Sequence, residues 1–141
     1  MIGKAIADCE AKGVEVHIVD SSADFRFAEQ AAWETVYRLD HGAPGLLPQF
    51  TCALPEHVAE IDTPHVGHPG CFATGALLAL APLAANDLLR GDVTLSQVTG
   101  SSGSGAEPKD TTHHPERAQD MRAYKVMTHQ HQPEIVRELR S

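Results

Sequence analysis

The sequence predicts an α/β fold, and three observations carry that reading. An amphipathic helical stretch, Ile2 to Lys12, meets a Gly13 stop and then a β-branched strand, Val14 to Val19. The strand leads into a polar segment, Asp20-Ser21-Ser22-Ala23-Asp24-Phe25-Arg26, where open α/β layers place ligand sites. Further on, Phe72 to Leu83 is an uncharged apolar run of helical length that reads as a buried helix. Helix, short turn and strand make half of a βαβ unit, so the chain is expected to begin inside an α/β layer.

The first helix presents Ile2, Ala5, Ile6 and Cys9 on one face. Ala28 to Leu39 reads as a second helix, and His41 to Pro48, punctuated by Gly and Pro, as a loop. Phe50 to Leu54 is a short strand, and Pro55-Glu56 opens a helical turn. Val93 to Thr99 alternates Val93, Leu95 and Gln97 against Thr94, Ser96 and Val98, which predicts a strand. Gly100 to Gly105 is then a glycine-serine loop leaving that strand, and Tyr124 to Met127 is a further strand. Pro133 to Leu139 reads as the last helix, with Pro at its first position and Glu134 beside it. There are no internal repeats and no Gly-x-Gly-x-x-Gly turn.

Composition bounds the function. At 141 residues the chain fits one domain with a real core, and 42% hydrophobic with 21% charged residues is globular. A net charge of -8 with no basic stripe argues against nucleic acid as a partner. The longest apolar stretch is too short for a bilayer and no signal peptide opens the chain, so neither membrane nor secretion is expected. Three cysteines at unrelated spacings suit a reducing cytoplasm.

The chemistry centres on His68-Pro69-Gly70-Cys71-Phe72-Ala73-Thr74. Cys71 follows a Pro-Gly turn at the start of the apolar helix, over unpaired N–H groups and the positive end of the helix dipole, which favour a thiolate. Such a thiolate can attack a carbonyl while backbone amides hold the oxyanion. His129-Gln130-His131 lies just before the last helix, and in extended backbone both imidazoles would face one pocket as partners for the thiol. Arg26, Arg117 and Arg122 are candidate anion clamps. The amides around Ser102, Gly103, Ser104 and Gly105 can form an anion-binding nest, or the segment is a plain linker. The nine histidines raise a metal reading, but Cys-x-x-Cys and His-Glu-x-x-His spacings are absent, so no metal site is expected.

These segments, in this order, resemble the N-acetyl-gamma-glutamyl-phosphate reductase family, a branch of the aspartate-semialdehyde dehydrogenase group. Asp20 to Arg26 is similar to the family's Asp-Leu-Ser-Ala-Asp-Phe-Arg, with Ser21 in place of leucine. Cys52-Ala53-Leu54-Pro55-Glu56 is similar to Tyr-Gly-Leu-Pro-Glu, and His68 to Thr74 resembles Asn-Pro-Gly-Cys-Tyr-Ala-Thr. Ser102-Gly103-Ser104-Gly105-Ala106 resembles the family's Ser-Gly-x-Ser-Gly-Ala loop, one residue short. His129 to Ile135 resembles His-Arg-His-x-Pro-Glu-Ile, with Gln130 in place of arginine.

The resemblance implies NADPH-dependent reduction of a small-molecule acyl phosphate to an aldehyde. Cys71 falls on the family's nucleophile, and the acid/base role falls to His131, with His129 its close competitor. Arg26 and the Ser104 loop would then bind substrate phosphate or cofactor. Thr112-His113-His114-Pro115-Glu116-Arg117 looks closer to lysine-pathway relatives that reduce an aminoadipyl phosphate. The resemblance further implies that residues 1–70 are the end of a Rossmann-type nucleotide-binding domain with its connection. Residues 71–141 are then part of a semialdehyde-dehydrogenase-like α+β catalytic and dimerisation domain. On this reading the chain is an internal fragment, and an uncovered sheet edge would favour a homo-oligomer.

Overall fold

The computed structural model describes residues 2–56, 58, 60–105 and 107–140, without the side chain of residue 116. Ala106, which closes the glycine-serine match, lies outside the described residues.

Helix α1 (Ile2–Glu10) turns its buried Ile6 onto Phe25, Leu47 and Phe50, with Ile2, Ile18 and Leu46 packed around them. The Phe25 and Phe50 rings stack at 3.8 Å between centroids. The helix closes as the sequence suggests, with Gly13 N–H on the Glu10 carbonyl at 2.9 Å. The Val14 N–H also turns back, to the Cys9 carbonyl at 3.0 Å. That bond takes Val14 out of any ladder. The strand expected over Val14 to Val19 therefore shrinks to β1 (Val19–Asp20).

β1, β2 (Phe50–Cys52) and β3 (His65–Gly67) form a three-stranded parallel sheet in the order β1-β3-β2. Val19 pairs with Val66 and Asp20 with Gly67 on one side of β3; Phe50, Thr51 and Cys52 pair with His65, Val66 and Gly67 on the other. Between β1 and β2 the chain runs through α2 (Gln30–Tyr37) and a 3-10 stretch, Pro44–Gln49. The latter replaces most of the loop expected over His41 to Pro48. α2 is shorter than the expected Ala28 to Leu39 because Arg38 caps it in the left-handed conformation at φ 57°. Buried Trp33 fixes it, its ring N–H donating to the Ala23 carbonyl at 2.8 Å. This parallel sheet with helices is the α/β class expected.

Helix α3 (Cys71–Ala84) begins one residue before the apolar run and buries Ala73, Ala76, Leu77 and Leu80. It packs against the last helix, α5 (His131–Glu138), after the short α4 (His114–Arg117). None of the described helices is long and apolar enough to cross a membrane.

Two expected strands do not form. Val93 to Thr99 is exposed, irregular backbone, and no described strand lies alongside it to complete a ladder. Tyr124 to Met127 is a turn, closed by Thr128 N–H on the Lys125 carbonyl at 3.0 Å, with Lys125 and Met127 at positive φ. α5 also starts at His131, two residues before the expected Pro133.

Candidate active site

The three strands end together at Asp20, Cys52 and Gly67, and the candidate site is built on the segments leaving that edge. Gly67 has to be glycine, because a β-carbon there would run into the Phe25 backbone carbonyl. The chain then passes through His68, Pro69 and Gly70 into Cys71, the first residue of α3. The helix opens with Thr74 N–H on the Gly70 carbonyl at 2.7 Å. By helix geometry the N–H groups of Cys71, Phe72 and Ala73 have no carbonyl one turn earlier, which leaves donors free at the helix start, although Ala73 itself is buried. The Cys71 side chain is exposed and reduced, and it makes no hydrogen bond among the described residues.

The last helix comes down on this turn. The His131 imidazole lies directly over Gly70, where any β-carbon would overlap its ring. Glu134, one turn along the same face, accepts the Gly70 N–H through Oε1 at 2.7 Å. So two side chains of α5 grip the residue immediately before the thiol.

His129 stands beside His131, with ring centroids 4.5 Å apart. The two reach this position through a turn entering the helix, with Gln130 already helical, instead of the extended backbone expected. His129 Nδ1 accepts the His131 N–H at 3.1 Å, so its other nitrogen carries the proton toward the Tyr124 hydroxyl at 3.2 Å. Both His129 nitrogens are therefore engaged. Phe72 contacts both histidines and Tyr124. Burial, and secondarily the Cys71 charge, raise the Tyr124 phenol pKa, which places the thiol in the same cluster.

Arg26 is brought into the site from the loop after β1. Its Nε donates to the His68 carbonyl at 3.1 Å and Nη2 to the Ser21 carbonyl at 3.2 Å. Nη1 points at His131 Nε2 at 3.5 Å. A guanidinium only donates, so Nε2 is an acceptor and the His131 proton sits on Nδ1, a buried atom with no partner among the described residues. Burial first, then His129, Arg26 and Lys125, push the His131 pKa down to about 4. His129 is also lowered, by burial and then Lys125. His131 is consequently a neutral imidazole at neutral pH, able to receive a proton.

The other candidate residues lie elsewhere. Arg117 pairs with Asp120 at 3.8 Å and Arg122 with the same carboxylate. Arg122 lines a shallow depression with Asp110, Thr111 and His113, separate from Cys71. Ser102, Gly103, Ser104 and Gly105 sit in an exposed stretch that opens with a 3-10 turn, Ser101–Ser104. Among the described residues no group of three or more His, Cys, Asp or Glu is arranged to hold a metal ion. Sequence reasoning missed Glu134 as a site residue and treated it only as a favourable helix start. The available signal was its i+3 spacing from His131.

The semialdehyde dehydrogenase dimerisation-domain family matches residues 71–141, the segment carrying Cys71, His129 and His131. The chain belongs to that family. It is also similar to curated N-acetyl-gamma-glutamyl-phosphate reductases, as the motifs indicated. It is 44% identical to that of Methanopyrus kandleri over 125 residues, covering 86% of this chain and 36% of the relative. With the Methanocaldococcus jannaschii protein it shares 38% over 138 residues, covering 96% and 39%. With that of Dictyoglomus thermophilum it shares 39% over 119 residues, covering 83% and 35%. The chain thus spans little more than a third of these relatives' length.

Proposed function

We propose that this semialdehyde dehydrogenase-family chain carries the thiol site of an N-acetyl-gamma-glutamyl-phosphate reductase, with Cys71 as nucleophile and His131 as acid/base. The observation that supports it most is the neutral His131 imidazole held over Gly70, one residue before an exposed thiol at a helix start. His131 takes the Cys71 proton. The sulfur then bonds to the acyl carbon of the acyl phosphate, the carbon–oxygen bond to phosphate breaks, and phosphate leaves with the electron pair. The free amides of Cys71 and Phe72 at the helix start hold the oxyanion of the intervening adduct. His129 is the weaker candidate, because it is His131 whose ring lies over Gly70; the one lone pair of each imidazole already faces a donor, Arg26 for His131 and the His131 N–H for His129. Arg26 spends its guanidinium on Ser21, His68 and His131, so it shapes the site more than it offers a free anion clamp.

NADPH, which the resemblance implies as reductant, would supply hydride to the thioester. The Ser102 to Gly105 segment, which the resemblance offers as its cradle, is exposed and buries no residue. In this proposal residues 1–70 are the end of a nucleotide-binding domain and 71–141 part of the catalytic domain. The substrate is a small acyl phosphate, the compartment is the cytoplasm, and the chain works as a homo-oligomer, consistent with the dimerisation-domain match.

The test needs no cofactor. Iodoacetamide alkylation of Cys9, Cys52 and Cys71 is followed against pH by peptide mass spectrometry, alongside acylation by acetyl phosphate read from intact mass. Cys71 should alkylate first and carry the acyl group, and Cys71→Ser should abolish the adduct. A Cys71 no faster than Cys9, with no adduct, would leave a non-catalytic remnant.

A further inference from the structure

Glu134 is the most completely buried acid of the described residues, at 0% exposure, yet the chemistry above does not use it. Oε1 holds the Gly70 N–H, while Oε2 is buried with no hydrogen-bond partner among the described residues. Keeping a carboxyl in such a place costs free energy that an apolar side chain would avoid. Its position supplies the reason. His131 and Glu134 lie on one face of α5, and both end on Gly70, whose carbonyl starts the helix of Cys71. We propose that Glu134 is a positioning residue whose buried carboxyl fixes the Gly70–Cys71 turn beneath the His131 imidazole. This deepens, and rests on, the reading of Cys71 as the nucleophile.

The surroundings suit a carboxyl used as an acceptor. Arg26 faces Glu134 from the loop after β1, Arg137 and Glu138 from its own helix, Tyr37 from α2 and Cys52 from β2. Burial raises the Glu134 pKa, against the pull of the Gly70 amide, Arg26 and Arg137. The amide contact is thus what offsets desolvation at Oε1, and it is directed at the turn before the thiol.

The experiment compares Glu134→Gln, which keeps an acceptor oxygen, with Glu134→Ala, which does not, in the full chain. Two readouts are taken: hydrogen exchange at the Gly70 amide and the pH profile of Cys71 alkylation. Glu134→Ala should speed Gly70 exchange by about tenfold or more and displace the alkylation profile, whereas Glu134→Gln should restore both to within about threefold of wild type. A folded Glu134→Ala that leaves both readouts unchanged overturns the proposal. So does a Glu134→Gln that is as defective, or that does not fold. If only Glu134→Ala fails to fold, Glu134→Gln decides: a protected Gly70 amide with a native profile supports it, and an exposed amide overturns it. Should wild-type Cys71 alkylate no faster than Cys9, the nucleophile reading falls, while Gly70 exchange still judges the positioning.

Discussion

The segment from residue 2 to 84, closed by α5, and the segment from 85 to 128 have similar apolar residues but opposite fates. In the first, Ile6, Phe25, Trp33, Phe50 and Leu77 are buried. In the second, Val93, Leu95, Val98, Met121, Val126 and Met127 are exposed, and the only described elements are α4 and short 3-10 turns. Among the described residues, two side-chain hydrogen bonds tie the second segment to α3, Asn86 Nδ2–H to the Pro82 carbonyl at 2.7 Å and Gln97 Nε2–H to the Phe72 carbonyl at 3.1 Å, beside the Phe72–Tyr124 ring contact. Hydrophobic pattern alone does not create structure; a pattern needs a surface to meet.

The sharpest way to break this contrast is to cut equivalent side chains from each region. Leu77→Ala, at a position with 0% exposure, should destabilise by about 2–5 kcal/mol in urea unfolding. Val98→Ala, at 77% exposure, should stay within about 0.5 kcal/mol. Equal losses would mean that the second segment is packed in solution.

A smaller but more local effect is expected at the site. Gly70 has φ -61° and ψ 155°, values any residue adopts, so Gly70→Ala tests only the collision with His131. It should cost about 1–3 kcal/mol, and His131→Ala in the same chain should relieve part of that loss. Additive effects in this double-mutant cycle would show that the imidazole does not rest on Gly70.

The remaining effect is pH-dependent. The His131 pKa falls from 6.5 in the unfolded chain to about 4 when folded, so the unfolded state binds the proton more readily. Its stabilisation is full above pH 6.5 and is lost as pH drops toward about 4. Glu134 works in the opposite direction, because its raised pKa favours the folded state as pH falls toward 4.5. Replacing His131 with Gln should therefore flatten the fall in Tm between pH 6.5 and 4, read by thermal unfolding. An unchanged slope would mean that His131 is not buried in solution.

Much of the packed segment could be read from residues. The Gly13 stop, the strand at Phe50 and the helix starting at Cys71 follow from local chemistry: glycine adopts the positive φ that ends a helix, Thr51 is β-branched, and an uncharged apolar run of helical length seeks burial. The proximity of His129 and His131 was also legible, although their backbone path was not. What escaped were features set by distant partners. Val93 to Thr99 alternates correctly but has no described strand beside it, and Val14 gives its N–H to Cys9. Glu134 reads as a favourable helix-start acid, and its i+3 spacing from His131 does not reveal that its oxygen meets Gly70, 64 residues earlier.

That separation has a consequence for the order in which the molecule comes alive. Arg26 meets His131 across 105 residues of chain, and Glu134 meets Gly70 across 64. Contacts of such span close late, after local helices and neighbouring strands have formed. During synthesis Cys71 therefore exists well before His131, and the proposed site is complete only when the C-terminal helix arrives. If Cys71 is the proposed nucleophile, a chain ending at residue 128 should alkylate it at the pace of Cys9, and the last helix would be the element that completes its site.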